Sequence, residues 1–345
     1  MTHNSRLSHT PLSVLDLAHV RHGSPTADAF RNTLDMAQHA EKWGYKRFWL
    51  AEHHNISGVA SAATAVLIGH VAGGTSTIRV GSGGVMLPNH APLVIAEQFG
   101  TLETLYPGRI DLGLGRAPGG DYAVTRALRK DLKANGDDFP ALLEELRYYL
   151  APAKAGQPVT AFPGAGTNVP IWLLGSSGFS AALAAELGLP FAFAAHFQPD
   201  NLLPALDLYR RSFKPSEVLD RPYAMAGIPV IAAETDEEAE FLATTPQQMF
   251  LNLIRNHPGP LVPPKKQLDW NPYEQAAVEA KFRAAIVGSR ETVERQLEAF
   301  LDQTKVDELM IATNPYDHAA RLRSYELVAQ LAGIMERQES MASTV

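Results

Sequence analysis

The chain has 345 residues, 46% hydrophobic and 19% charged, with a formal net charge of −7 and no cysteine. That composition is ordinary for a soluble globular enzyme, and the acidic balance speaks against a nucleic-acid partner, which needs a basic face. Disulfides, a thiolate nucleophile and cysteine-ligated zinc are excluded. No uncharged apolar run of about 18 residues suggests a membrane span. Met1 to Pro11 lacks the apolar core of a secretory segment. A cytoplasmic protein is therefore expected, with one domain over residues 11–335 between flexible tails at 1–10 and 336–345.

From Leu12 to Leu17 an apolar run reads as a first strand. After the turn at Gly23-Ser24-Pro25 a helix is expected from Thr26, a candidate N-cap, with Phe30, Leu34, Ala37 and Ala40 or Trp43 as its apolar stripe and Gly44 as its end. Lys46 to Ala51 is a short apolar strand running straight into Glu52-His53-His54. Titratable residues at the C-terminal end of a buried strand are where a parallel α/β fold places its chemistry. Alternation along the strand sends His53 and His54 to opposite sides, so only one of them faces the mouth of a barrel. Packing beneath a loop is the structural alternative for both.

Ala62 to Ala72 is a helix without a polar face, suited either to burial between layers or to a subunit contact. Ile78 to Pro88 starts as a strand and then brings Gly81, Gly83 and Gly84 close together. Such glycines mark a bulge or a close approach of backbone to a ligand. No Gly-Lys-Ser/Thr follows, and the spacing fails the dinucleotide fingerprint, so backbone against a flat ring system is the more natural use. After a helix over Leu93 to Leu105, the strand Arg109 to Gly115 delivers Arg116 into a loop with Gly119 and Gly120. An arginine there suits a phosphate or carboxylate clamp, or an ordinary surface ion pair. Tyr122 to Leu150 reads as helical with a polar break at Asn135-Gly136-Asp137-Asp138.

The strand Pro170 to Leu174 leads through Gly175-Ser176-Ser177-Gly178 into a helix from Phe179 to Leu187. Free amides, hydroxyls and the positive end of a helix dipole converge there, the recipe for an anion site; plain N-capping by Ser176 or Ser177 would use the same residues. Pro190 to Ala195 is a further strand, with His196 at its exit. Tyr223 to Ala233 is followed by Thr235 as an N-cap. Residues 245–274 read as irregular, and the proline-rich stretch from Asn256 to Lys266 is either a lid or a passive excursion. Helices over Tyr273 to Ala284 and Arg290 to Thr304 flank Val287-Gly288-Ser289. The last strand, Glu308 to Thr313, carries Asn314 and precedes a closing helix from His318 to Met335. Eight strands, nearly all followed by helices, predict a (β/α)8 TIM barrel with insertions after the later strands. That fold gathers Glu52, His53, His54, Arg116, Gly175, Ser176, Ser177 and His196 on one face.

Glu52-His53-His54, the run Val80 to Pro88, Pro107-Gly108-Arg109 with Gly115-Arg116, and Leu174-Gly175-Ser176-Ser177 resemble, in order and at compatible spacing, the bacterial luciferase-like flavin monooxygenases. The resemblance runs from about Leu12 to Ala332 and is nearest to the single-chain, non-luminescent bacterial members. It implies a TIM-barrel enzyme that uses reduced FMN and O₂ to oxygenate a small organic substrate, apolar at its reacting end, through a flavin peroxide. It also implies that His53 is the active-site histidine, that Gly83-Gly84 is a non-proline cis peptide beside the isoalloxazine, and that Arg116, Gly175, Ser176 and Ser177 hold the FMN phosphate. Glu52 and His196 are expected to line the substrate pocket, and no metal is expected. A homodimer, with the Ala62 to Ala72 helix at its interface, and a separate NAD(P)H-dependent flavin reductase complete the expectation. The light-emitting subunit carries cysteine where Gly115 stands, so luminescence is not implied.

Three other readings compete. A deazaflavin (F420)-dependent hydride-transfer enzyme would share the barrel and the phosphate site. A non-catalytic flavin carrier would not need both His53 and Arg116. A metal-dependent barrel hydrolase would need Glu52, His53, His54 and His196 to converge, whereas adjacent strand histidines diverge.

Overall fold

The computed structural model describes residues 5–117, 122–128 and 138–342. Its strands are β1 (Leu12–Asp16), β2 (Arg47–Leu50), β3 (Arg79–Met86), β4 (Ile110–Gly115), β5 (Ile171–Gly175), β6 (Phe191–Ala194), β7 (Ala224–Ala232), β8 (Ile286–Gly288) and β9 (Glu308–Ala312). All pair in parallel, in the order β6-β5-β4-β3-β2-β1-β9-β7, and β7 returns to β6 to close a TIM barrel. Around it lie α1 (Thr26–Trp43), α2 (Thr64–Gly73), α3 (Pro92–Leu105), α4 (Tyr122–Leu128), α5 (Phe139–Leu150), α6 (Gly178–Leu187), α7 (Leu202–Ser212), α8 (Asp236–Ile254), α9 (Pro272–Phe282), α10 (Arg290–Thr304), α11 (His318–Leu331) and α12 (Ile334–Ala342).

Strand alternation sorts the core into two compartments. Val14, Phe48, Leu50, Val80, Leu112, Leu173 and Ile311 face outward and pack beneath the helices. Leu15, Trp49, Trp172, Ala192, Met225 and Met310 face inward and fill the barrel. Trp172 stands edge-on between Trp49 at 5.3 Å and Tyr223 at 5.6 Å. Below this aromatic layer, toward the N-terminal ends of the strands, the plug turns ionic. The Arg47 guanidinium bridges Asp111 at 2.7 Å and Glu308 at 2.8 Å and lies over Trp172. Arg79 and the Trp49 indole N–H also donate to Asp111, while Tyr223 and Ser13 donate to Glu308. Each buried carboxylate is thus satisfied from several sides, without which its desolvation would be prohibitive.

Gly44 terminates α1 in the left-handed region at φ 86°, which leaves β2 free to start beside β1. The α1 N-cap position belongs to Pro25, so Thr26 is the first helical residue and caps nothing with its side chain. The buried α1 stripe is Ala29, Thr33, Met36, Ala37, Ala40 and Trp43, one position off from Phe30 and Leu34, which are half-buried.

Three expectations are corrected. β8 is a ninth strand where a connecting segment was expected: β7 overruns the barrel by a few residues, and Ile286–Gly288 pairs with the surplus edge at Val230–Ala232. Residues 245–254 are helical, since α8 continues through Pro246 to Ile254; the proline-rich excursion begins only afterward and is tied down by Thr245 Oγ1 to the Val262 carbonyl and Gln248 Nε2 to the Pro263 carbonyl. The tails are ordered further than expected: Leu7 is fully buried, Ser5 and the Arg6 and Leu7 amides bind Glu298, and the chain after Leu331 resumes as α12. The expected Gly119-Gly120 loop and most of the polar break at 135–138 fall outside the described residues.

Candidate active site

The end of β2 resolves which histidine faces the barrel. Trp49, Ala51 and His53 share the inward parity, and Glu52 and His54 share the other. On that other side His54 Nε2 meets Glu52 Oε1 at 2.8 Å, His90 Nε2 meets the same carboxylate at 3.0 Å, and the Met86 amide donates to Oε2 at 3.0 Å. Asn89 Nδ2 adds a contact at 3.3 Å. Burial by itself would raise the Glu52 pKa, but the hydrogen bonds from His90, His54 and the Met86 amide together hold it below its ordinary value. Glu52 was expected in the substrate pocket; its carboxylate is instead consumed in fastening the ends of β2 and β3 together.

On the inward side three histidines come together. Burial lowers the pKa of His53, and its Nδ1 is shielded from solvent without a hydrogen bond of good geometry, the Ala51 carbonyl lying nearest. His19, three residues beyond the end of β1, is only 8% exposed, and its ring faces the Gly58 backbone without a hydrogen bond of good geometry. Burial pushes it down to about 4 against the pull of Asp16. His196, at the exit of β6, is also pushed down to about 4 by burial, and its Nδ1 faces the Gly227 carbonyl at 3.3 Å. All three follow the C-terminal ends of parallel barrel strands, β1, β2 and β6, and so belong to the same mouth of the barrel. All three are neutral imidazoles near pH 7.

A histidine that folds with a lowered pKa destabilises the fold once the unfolded chain takes up a proton that the native chain refuses. Stability is therefore complete above about pH 6.5 and lost as pH falls from there toward about 4. His19 alone contributes on the order of 3 kcal/mol across that window. Denaturant unfolding between about pH 7.5 and about pH 4.5 is expected to show this slope, and His19→Gln to flatten it. Parallel profiles for variant and wild type would refute the assignment.

At the end of β3, Gly83–Gly84 is a cis peptide at the point where the β3–β4 register shifts. A Cβ on Gly83 would sit 2.8 Å from Leu15 Cδ1, and one on Gly84 2.7 Å from the Gly113 carbonyl oxygen. Only glycine lets backbone lie this close to both neighbours. The Gly84 carbonyl accepts from the Glu52 amide, tying this backbone to the histidine-bearing strand.

The expected clamp residues are brought together. Arg116, exposed at the end of β4, stacks on the Phe179 ring at 4.3 Å in the first turn of α6. Ser177 occupies the α6 N-cap position with extended backbone, yet its side chain makes no cap hydrogen bond. The N-capping alternative is thus not realised at Ser177: the first amides of α6 are left without a side-chain cap, next to a guanidinium that has no carboxylate partner among the described residues. Such a set suits a dianionic phosphate.

Sequence reasoning missed His19 and His90. Neither had a local signal: β1 ends at Asp16 and Ala18 takes a positive φ of 49° before His19, while His90 follows the short helical turn after β3 and reaches back to Glu52.

A family model for luciferase-like monooxygenases matches residues 10–329. A luciferase-like monooxygenase of Escherichia coli K12 is 53% identical over 317 residues, covering 91% of this chain and 95% of its own. The N-acetyl-S-alkylcysteine monooxygenase of Bacillus subtilis is 33% identical over 335 residues, covering 92% and 97%. The crystal structure of apo-MsnO8 superposes with a TM-score of 0.86 at 37% identity, over 94% of this chain and 99% of that one. The same fold, at under 20% identity, is found in an FMN complex of a Baeyer–Villiger monooxygenase and in an F420-dependent secondary alcohol dehydrogenase. With a family model over residues 10–329, near full-length similarity and a matching barrel, the chain belongs to the luciferase-like monooxygenase family.

Proposed function

We propose that this protein is an FMN-dependent monooxygenase acting on a small organic substrate that is apolar at its reacting end. The observation that carries the reading is the pairing of Arg116 with the uncapped N-terminus of α6 beside the glycine-lined end of β3. Gly175, Ser176, Ser177 and Arg116 would hold the phosphate, and Gly83-Gly84 would border the ring system. Bound in its reduced form, FMN supplies the activation of O₂. The chain's own contribution is to orient, to shed water and to handle protons. Trp49, Leu174 and Ala51 wall the interior below the mouth. The excursion after α8 covers one side, with Leu261 bridged to Arg21 and Gly259 packed on Gly58. His53, held neutral by burial, is the proton acceptor or donor facing the reacting atoms.

A phosphate clamp would serve a deazaflavin as well, and a flavin carrier would need no histidine. Anaerobic titration with reduced FMN and with F420, followed by rapid mixing with oxygen, separates them. Tight FMN binding with a long-lived oxygenated absorbance supports the proposal; binding of F420 alone, or immediate reoxidation at every substrate tried, would overturn it. Replacing Arg116 by Ala is expected to weaken FMN by about 10- to 100-fold, the worth of a charge-assisted hydrogen-bond pair. Unchanged affinity would remove Arg116 from the phosphate site.

This reading calls for a cytoplasmic protein fed by a separate NAD(P)H-dependent flavin reductase. It also favours a homodimer formed through α2 and α3, which expose Val66, Leu105 and Val94 on adjoining helices. Among the described residues no helix is long and apolar enough to cross a membrane.

A further inference from the structure

Adjoining the histidine cluster, and sharing His19 with it, lies a polar pocket in which the flavin reading gives the Arg21 side chain no role. It opens between the exit of β1, the exit of β9 and the excursion after α8, lined by His19, Arg21, Leu261, Asn314, Tyr316 and Arg321. Its charges are unevenly matched. Arg321 is spent on Asp16 at 3.0 Å, and His318 on Asp35 at 2.8 Å. Arg21 has no carboxylate partner among the described residues; its Nε is buried without a hydrogen bond, and its guanidinium lies 5.9 Å from the Tyr316 ring centroid. The amide oxygen of Asn314 is likewise buried and unpartnered, and the buried nitrogens of His19 make no hydrogen bond of good geometry, with the Gly58 backbone beside the ring. An amide can be turned over without changing its outline, so Asn314 offers an unmade hydrogen bond whichever way it points.

Three neighbouring side chains with unmade bonds are costly, about 1–3 kcal/mol for each unsatisfied group. They cluster where a ligand completes them. An uncompensated guanidinium with donors in front of it is the chemistry that takes a planar anion, and carboxylate is the planar anion an arginine fork matches best. Because β1, which leads to His19, pairs with β2, which leads to His53, a molecule anchored here lies next to the reacting centre.

We propose that Arg21, with His19 and Asn314, forms a subsite for a carboxylate borne by the substrate at the end away from the reacting atom. The proposal rests on the monooxygenase reading for its substrate, and it names that substrate's class: a carboxylic acid with an apolar reacting portion.

The test is equilibrium binding of straight-chain alkanoates from acetate to octanoate, each against its methyl ester, to the full chain without flavin. Wild type is expected to bind the acids at least about tenfold more tightly than the esters, the worth of one charge-assisted contact. Arg21→Gln is expected to abolish that preference while its FMN affinity stays at the wild-type value. Asn314→Asp, which sets a like charge in the pocket, should abolish it too and covers the case in which Arg21→Gln misfolds. Equal binding of acids and esters, no acid binding at millimolar concentration, or a preference that survives both substitutions would overturn the subsite and leave only ordered water there. An acid preference in a protein that binds no FMN would instead retain the subsite and defeat the flavin reading.

Discussion

Arg47→Met is expected to cost the fold about 3–5 kcal/mol, the usual penalty for removing one partner from a buried ion pair. The reason lies at the closed end of the barrel. Arg47 is 6% exposed and, among the described residues, is the one side chain that touches both Asp111 and Glu308. Without it, two carboxylates remain in the interior with reduced compensation. Arg79 still reaches Asp111, and Lys46, Tyr223 and Ser13 still reach Glu308, which sets the effect at the lower end of that range. Methionine preserves volume beneath Trp172, so the loss reports charge and hydrogen bonding more than a cavity. Urea unfolding at neutral pH measures it directly. A loss below about 1 kcal/mol would mean that the two acids become protonated or hydrated cheaply and that the plug is not held by its ions.

His53→Ala is expected to lower oxygenation by about 100-fold or more, the scale of a positioned general acid or base, while FMN affinity stays near wild type. The split matters, because a merely structural histidine would lose both or neither. Burial holds His53 below the ordinary histidine pKa, so the neutral ring is present at and above about pH 6.5. If the neutral form works as a base, the wild-type rate should decline on the acid side of that value. The Ala variant should lack that limb. An unchanged turnover rate, or the same acid limb in the variant, would remove His53 from proton transfer.

The barrel was legible because each of its eight strands announces itself locally. A short apolar run after a turn, followed by helical periodicity, recurs along the chain from Leu12 to Ala312. β8 was not legible: three residues, Ile286–Gly288, become a strand only because β7 is longer than the barrel is tall and leaves an edge to cover. The same kind of dependence hid the course of α8. Pro246 marks a helix end in isolation, but Thr245 and Gln248 anchor the returning segment and the helix runs on.

At the site, the period of two was enough to say that His53 and His54 part company, because alternation is a property of the strand itself. Which of them enters the barrel depends on the inward parity set by Trp49 and Ala51 and on a carboxylate waiting for the other. The sequence by itself determined the strand ends, the glycines at Gly83 and Gly84 and the placing of Arg116 near the turn before α6. Only the tertiary structure decided that Glu52 is spent on His54 and His90, that His19 and His196 share the barrel mouth of His53, and that Arg21 has no carboxylate partner among the described residues. Periodicity is encoded between near neighbours, whereas a hydrogen bond or a missing partner depends on residues brought from as far as the other end of the chain by closure of the barrel.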